Sequence, residues 1–256
     1  MRLHAFHCGG EGTDMAFFTP FHPEVGRSVV IPYLCFLIEH PAGLVLFDCG
    51  PHPDLAVDPG RRLGGTAETY EIRVGPEDDA ASRLRAGGWS PEAVTDVVLS
   101  HLHYDHAGGI ESFPQATFHV QARERVFAMR PPVYQAGDYV PADVDHPVRW
   151  HEVDGTHDLF GDQSIVLTPT PGHTPGHQSL VVRLAGRTIV LVGDAAPHAR
   201  TLETQDLPAV LWNPDEMVAS WEVLRRLRDD EDALLVFPHD PDFREWLVLA
   251  PQGFYE

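Results

Sequence analysis

Seven residues of this chain have the types and the spacing to hold metal ions, and four of them fall within Ser100-His101-Leu102-His103-Tyr104-Asp105-His106-Ala107-Gly108-Gly109. The apolar run Asp96-Val97-Val98-Leu99 leads directly into that stretch and reads as a buried strand. A strand that delivers H-x-H-x-D-H into a Gly-rich turn sets His101 and His103 on one side of the chain, and the turn swings Asp105 and His106 toward another point. Neutral imidazole and carboxylate oxygen suit zinc and other borderline divalent metals, and crowding such donors is costly without a cation to hold them. A single structural zinc needs only four ligands, so the surplus points to two metals. The other three donors stand at further strand ends. His173 lies in the stiff loop Thr168-Pro169-Thr170-Pro171-Gly172-His173-Thr174-Pro175-Gly176-His177, Asp194 ends the apolar run Thr188 to Val192 after Gly193, and His239 follows Ala233 to Phe237. With 16 His in 256 residues some clustering is expected by chance, but pattern and strand-end context agree here.

The series His101, His103, Asp105, His106, His173, Asp194, His239 resembles the complete dinuclear ligand set of the metallo-β-lactamase superfamily, and the resemblance spans nearly the whole chain. The wording SHLHYDHAGG, TPGHTPGHQS and VGDA is most similar to the N-acyl homoserine lactone lactonases, the quorum-quenching lactonases. That resemblance implies a four-layer αβ/βα sandwich with the metal site at the strand-end edge. It puts His101, His103 and His173 on a first metal, Asp105, His106 and His239 on a second, and Asp194 between them. It implies two divalent ions, zinc first, with iron, cobalt and manganese open. The implied reaction is attack of a metal-bridging hydroxide on a lactone carbonyl, with Asp105 moving a proton to the ring alkoxide. The alternative is a phosphotriesterase or other ester hydrolase of the same superfamily. An early apolar loop holds the acyl chain in the lactonases, which implies substrate contacts for Met15, Phe17, Phe18 and Phe21. One departure stands out: the lactonases carry a Tyr three residues after the bridging Asp, where this chain has Pro197. The neighbouring His198, or Tyr33 from an earlier strand, is the expected stand-in.

These residues need strands to hold them. Arg2 to Cys8 reads as an edge strand broken by Gly9-Gly10-Glu11-Gly12, and Val29 to Glu39 with Leu44 to Asp48 reads as a hairpin turning at His40-Pro41-Ala42-Gly43. A long Pro/Gly-rich segment from Cys49 to Gly75 is the expected place for a lid or an oligomer contact, and a homodimer is the assembly it would serve. Pro76 to Ala86 reads as a helix closed by Gly87-Gly88, Ala116 to Val120 as a strand and Gln121 to Met129 as a helix. Val148 to Val153, Ser164 to Leu167, Gln178 to Leu184 and Thr188 to Val192 read as further strands. Asn213 and Pro214 open the longest helix, whose Met217, Trp221, Leu224 and Leu227 share one face. Pattern alone gives α/β with two sheets; no compositional break divides the chain, so residues 1–256 are expected to form one domain.

The composition narrows the partners. A formal charge of −20, from 38 acids against 18 bases, repels nucleic acid and anionic membranes, leaving a small-molecule lactone or ester as the expected partner. Cys8, Cys35 and Cys49 are odd in number and widely spaced, as expected in a reducing compartment. No basic region followed by an apolar stretch and a small-residue cleavage site opens the chain, and no apolar run is long enough to span a bilayer, so a cytoplasmic location is expected.

Overall fold

Strand periodicity in this chain builds two sheets. The computed structural model of the protein describes residues 1–21 and 23–256. Seven strands form the first sheet: β1 (Arg2–Asp14), β2 (Ser28–His40), β3 (Gly43–Phe47), β4 (Glu71–Arg73), β5 (Val94–Val98), β6 (Thr117–Gln121) and β7 (Arg149–Val153), in the order β4-β1-β2-β3-β5-β6-β7. Five form the second: β8 (His157–Asp158), β9 (Ile165–Pro169), β10 (Gln178–Arg183), β11 (Thr188–Leu191) and β12 (Leu234–Val236), in the order β12-β11-β10-β9-β8.

Alternation along β2 shows how the layers arise. Leu34, Phe36 and Ile38 point inward and pack with Ile165, Leu167, Leu180, Val182, Ile189 and Leu191 of the second sheet. Their neighbours Tyr33, Cys35 and Leu37 point outward, into a cluster that includes Leu84 of helix α1 (Ala80–Gly87) and Ala128 of helix α2 (Ala122–Ala128). On the far face of the second sheet, Val166, Val181 and Val190 pack against Met217, Trp221 and Leu224 of helix α3 (Pro214–Glu231). Three apolar interfaces separate four layers, the αβ/βα sandwich. Each fully buried Leu, Phe or Met in them contributes about 1.5–3 kcal/mol.

Several elements differ from the sequence reading. The glycines after Cys8 do not end β1; the pairing with β2 shifts register between His7 and Gly10, and the strand runs on to Asp14. Gly9 takes φ +84°, and a Cβ on Gly10 would lie 2.3 Å from the Ile31 carbonyl oxygen. The glycines thus permit a bulge that redirects the strand instead of breaking it. Residues 49–75 fold into short helical turns and β4, which pairs with β1. Helix α1 starts at Ala80 because Asp79 caps it, accepting the Ser82 N–H; Pro76, Glu77 and Asp78 lie outside it.

Candidate metal centre

The proposed donors reach one place because each leaves its strand at the same edge of the sandwich. After β5 the chain runs through Leu99 and Ser100 to His101 and His103, and one helical turn, Tyr104–Ala107, carries Asp105 and His106. His173 sits in a loop closed by Thr170 N–H to His177 O (2.9 Å) and Gly172 N–H to Thr174 O (3.1 Å). Beyond β11, Gly193 takes φ +62°, where any Cβ would meet His177 Nε2 at 2.6 Å. Glycine there lets the Asp194 N–H donate to His177 Nε2 (2.9 Å), which aims the Asp194 side chain. His239 follows β12.

The side chains converge as two overlapping groups. His101, His103 and His173 form one, and Asp105, His106 and His239 another, with ligand atoms inside each group within 4.8 Å of one another. His103 Nδ1 lies 3.1 Å from His173 Nε2, and His106 Nε2 lies 3.2 Å from His239 Nε2. Asp194 stands between: Oδ1 is 3.2 Å from both His106 and His239 Nε2, while Oδ2 is 3.5 Å from His173 Nε2. Asp105 Oδ2 lies 3.3 Å from His106 Nε2 and 3.5 Å from His239 Nε2.

In four of the five histidines the outward-facing nitrogen is held, which leaves the inward one as the lone-pair site once the ring is neutral; His103 Nε2 is buried with no hydrogen-bond partner among the described residues. His106 Nδ1–H donates to Asp48 Oδ2 (2.8 Å), His239 Nδ1–H to the Pro32 carbonyl (2.9 Å) and His173 Nδ1–H to the Val210 carbonyl (3.1 Å). Ser100 Oγ donates to Asp48 Oδ2 (3.0 Å) and accepts from His101 Nδ1–H (3.0 Å). His101 Nε2 and Asp194 Oδ1 are buried and have no hydrogen-bond partner among the described residues. Buried polar atoms are rarely left so. Orphaned donors aimed at one point fit a cation, and the donor chemistry fits a borderline divalent metal.

Proton affinities divide along the same line. Burial, reinforced by the other imidazoles, holds His101 and His103 well below the usual histidine range, and burial lowers His173. Burial also works against a charged His106 and His239, but the Asp105 and Asp194 carboxylates outweigh it, raising His106 well above its ordinary value and His239 to about 9. Burial pushes Asp194 up, yet His239, His106 and His173 overcome it and hold the carboxyl well below its usual range.

Supports that sequence reasoning missed are the polar groups behind the donors. Asp48 sits at φ +57°, a strained position for a residue with a side chain, and accepts the Ser100 N–H (2.7 Å) as well as His106. A carboxylate directly after the apolar β3 was its visible mark, the same mark as Asp194. Glu124 is fully buried and accepts from Leu102 N–H (3.1 Å), Thr174 Oγ1 (2.7 Å), Gly176 N–H (3.1 Å) and Tyr139 OH (3.1 Å). It therefore pins the His101–His103 segment to the His173 loop, and Tyr139 packs edge-on to His103 with ring centres 4.7 Å apart.

A small pocket opens over the donors, lined by Glu11, Phe17, Tyr70, Tyr104, Asp105 and Asp138 among others. Tyr33 and Tyr104 each donate to Glu11 Oε2 at 2.5 Å. Burial and nearby Asp105 push Glu11 up to about 7 despite those hydroxyls, and burial with Asp105 and Asp194 takes Asp138 to about 7. Of the apolar loop, Phe17 reaches the cavity and stands edge-on to His239. Met15 and Phe18 line a separate hollow with His198. Two more of the expected contacts also lie away from this cavity. Phe21 is 92% exposed, so it does not line the cavity. His198 caps the helix Ala199–Thr204, its Nδ1 accepting the Arg200 N–H (2.9 Å), and packs on Phe18, apart from the donors.

Fold and site together define a four-layer sandwich with a histidine- and carboxylate-lined pocket at its strand-end edge. The family model of the metallo-beta-lactamase superfamily matches residues 29–239, and the chain belongs to that superfamily. The N-acyl homoserine lactonase AttM of Rhizobium radiobacter is 37% identical over 236 residues, which cover 90% of this chain and 89% of the relative. A probable metallo-hydrolase of Mycobacterium tuberculosis is 32% identical over 239 residues, covering 83% and 76%. The solved N-acyl homoserine lactone hydrolase with the product N-hexanoyl-L-homoserine at its catalytic metal centre superposes with a TM-score of 0.89, at 23% identity, over 99% of this chain and 98% of its own. That last likeness speaks to the fold. Family and relatives make this chain a metal-dependent hydrolase.

Proposed function

We propose that the protein, acting as one domain over residues 1–256, opens lactone rings, with N-acyl homoserine lactones as the leading substrates and two divalent cations, zinc first, as cofactors. The observation that carries this reading is the convergence of seven donors in two groups with Asp194 reaching both. Relatives named as N-acyl homoserine lactonases support the substrate class. Bound there, the cations would supply Lewis acidity toward a carbonyl and a water-derived nucleophile at neutral pH.

The protein's own groups do the rest. His101, His103 and His173 would hold one cation and Asp105, His106 and His239 the other, Asp194 serving both. In hydrolysis the acyl carbon gains the water oxygen, the ring C–O bond breaks, and a proton from water ends on the ring oxygen. Asp105 lines the cavity and is the group placed to carry that proton. Pro197 is buried and has no N–H to give, so the tyrosine donor of the lactonases is absent. The set Glu11, Tyr33 and Tyr104 takes its place in this reading. Two hydroxyls converge on Glu11 Oε2, and Oε1 has no hydrogen-bond partner among the described residues. Phe17 supplies the apolar wall for an acyl chain.

Cytoplasmic residence is supported by three free, buried cysteines, and no helix among the described residues is long and apolar enough to cross a membrane. The second reading, a phosphotriesterase or other ester hydrolase, is favoured by one observation, the missing donor at Pro197, because a good leaving group needs it least. Purified protein, with metal content measured on the same sample, should be assayed on short- and long-chain N-acyl homoserine lactones, simple γ- and δ-lactones, a thioester and a phosphotriester. Highest kcat/KM on the acylated lactones supports the proposal. Highest kcat/KM on the triester selects the second reading.

A further inference from the structure

A second cluster of imidazoles lies away from the proposed ligand set, where the two sheets meet at their β7 and β8 edges. Phe118 and Val120 of β6 face the outer helical layer, so His119 between them faces the second sheet. Val153 of β7 packs in the inter-sheet core, which puts His151, two residues earlier, on that same inner face. His119 and His151 are direct partners across the β6–β7 pair. From the opposite sheet, β8 contributes His157. Elsewhere this inter-sheet layer is apolar; here it is filled by three imidazoles and by Gln121, which bonds Gln178 Oε1 (2.8 Å) and Gly155 O (2.9 Å).

The contacts among the three rings are close and oriented. His119 is buried, and its Nε2–H donates to Asp96 Oδ1 on β5 (2.7 Å). A neutral imidazole that donates through Nε2 keeps a lone pair on Nδ1, the arrangement a carboxylate imposes on a metal-binding histidine. That Nδ1 faces His151 Nδ1 at 2.9 Å. Two nitrogens bound to one ion at about 2.0–2.1 Å stand roughly 2.9–3.4 Å apart, so the separation suits a shared cation. His157 completes the set: its ring centre is 5.2 Å from that of His151, and all three ligand atoms lie within 4.8 Å of one another. His157 is half-exposed. Asp96 supplies a negative charge one bond behind the ligands.

We propose that His119, His151 and His157 bind a borderline divalent transition-metal ion such as Zn²⁺ or Ni²⁺, oriented by Asp96, that clamps the β7 edge of one sheet to the β8 edge of the other. Three protein donors leave the remaining positions to water. The ion is additional to those of the strand-end pocket, and its protein ligands come from both sheets.

Untagged full-length protein and the variants His151→Ala and His157→Ala are loaded with Zn²⁺, freed of excess, and compared for metal per chain, thermal midpoint and lactone turnover. His151 is exposed and His157 half-exposed, so both variants should fold. The wild type is expected to hold about one equivalent more than either variant after removal of excess metal, and, in a separate melt with free Zn²⁺ kept at about 100 times Kd, its midpoint to gain roughly 5–10 °C over theirs. Turnover should be equal in all three. Equal metal content and equal metal-induced shifts in wild type and variants overturn the proposal and leave a hydrogen-bonded histidine chain. The test reads a difference between proteins that share the strand-end pocket, so failure of the proposed function would lower all three alike and leave the difference intact.

Discussion

The two halves of the strand-end pocket use the same side chain in opposite electrical settings. His101 and His173 lean outward on neutral oxygens, Ser100 Oγ and the Val210 carbonyl, and with His103 they stay uncharged because burial and mutual repulsion exclude protons. His106 and His239 sit among Asp105 and Asp194, with Asp48 behind His106, and those carboxylates draw protons in. Without metal, the first half presents lone pairs while the second holds protons that a cation must displace. The difference teaches that the seven donors are not equivalent toward metal: one half is ready, the other is conditional on pH.

The strongest way to break that contrast is to remove the group both halves share. Asp194→Ala is expected to empty both and take turnover to background, a fall above about 10⁴-fold. Metal analysis of the variant checks it, and one fully loaded half with retained activity would show that Asp194 serves only one side. Next comes Asp105→Asn, expected to lower kcat by about 10²–10⁴ with KM little changed, because in the proposed reaction the carboxylate moves a proton in the step that breaks the ring. Metal content must be matched to wild type; near-normal kcat in a fully loaded variant assigns the proton to another group.

Asp48→Asn sharpens the contrast instead of erasing it. Asp48 orients His106 directly but reaches the first half only through Ser100, so metal affinity should fall about 10–100-fold in the carboxylate half and little in the other. Two-step competition with a chelator resolves the two. A parallel loss in both halves would mean that the Asp48–Ser100 pair supports the whole pocket.

What the sequence made legible and what it hid follow the same physical divide. Donors at strand ends could be read because each stands immediately after an apolar run that must be buried, so chemistry and secondary structure coincide within a few residues. Asp48 and Glu124 could not, because their partners are remote: Asp48 meets His106 across 58 residues, and Glu124 meets Thr174 across 50. Such pairings depend on which strands become neighbours. The bulge at Gly9 and Gly10 was hidden for a related reason. Two glycines read as a break, while pairing with β2 carries β1 past them and sets Glu11 against the cavity. Four layers followed from family resemblance, since periodicity separates inner from outer faces but does not say which sheets stack.

A smaller effect comes from pH alone. In the metal-free protein His239 has its pKa raised from 6.5 to about 9, so the stability this contributes is fully present below about 6.5 and is lost as pH rises through about 9. Metal must displace that proton, so affinity in the carboxylate half should fall by about tenfold for each unit below 9 on its account, at 1.36 kcal/mol per unit, and more steeply where His106 must give up a proton as well. The first half has no raised histidine and should load with little slope between pH 7 and 9 on the same scale. Calorimetric titration of metal-free protein at several pH values reads both. Equal slopes would erase the distinction between the halves.

The smallest expected effect belongs to His198, which lies outside both halves although its neighbour Pro197 occupies the place of the lactonase tyrosine. Its ring is engaged in capping, with Nδ1 accepting the Arg200 N–H and Nε2 3.6 Å from Asp240 Oδ1, and its face packs on Phe18. A side chain so placed stabilises the helix Ala199–Thr204 by about 0.5–2 kcal/mol and donates nothing to a substrate carbonyl. His198→Phe should therefore cost a little stability and leave kcat within about twofold. Tyr33 is the contrasting case, since its hydroxyl reaches Glu11 on the cavity wall. Tyr33→Phe, with metal content intact, should lower kcat by about 10–10³-fold, the range for losing one oriented donor. If the two variants exchange these outcomes, the donor lies on the His198 side and the Glu11 cluster is only packing. If neither changes kcat, polarisation of the substrate rests on the metals alone, and activated esters or phosphotriesters become the better substrates to try.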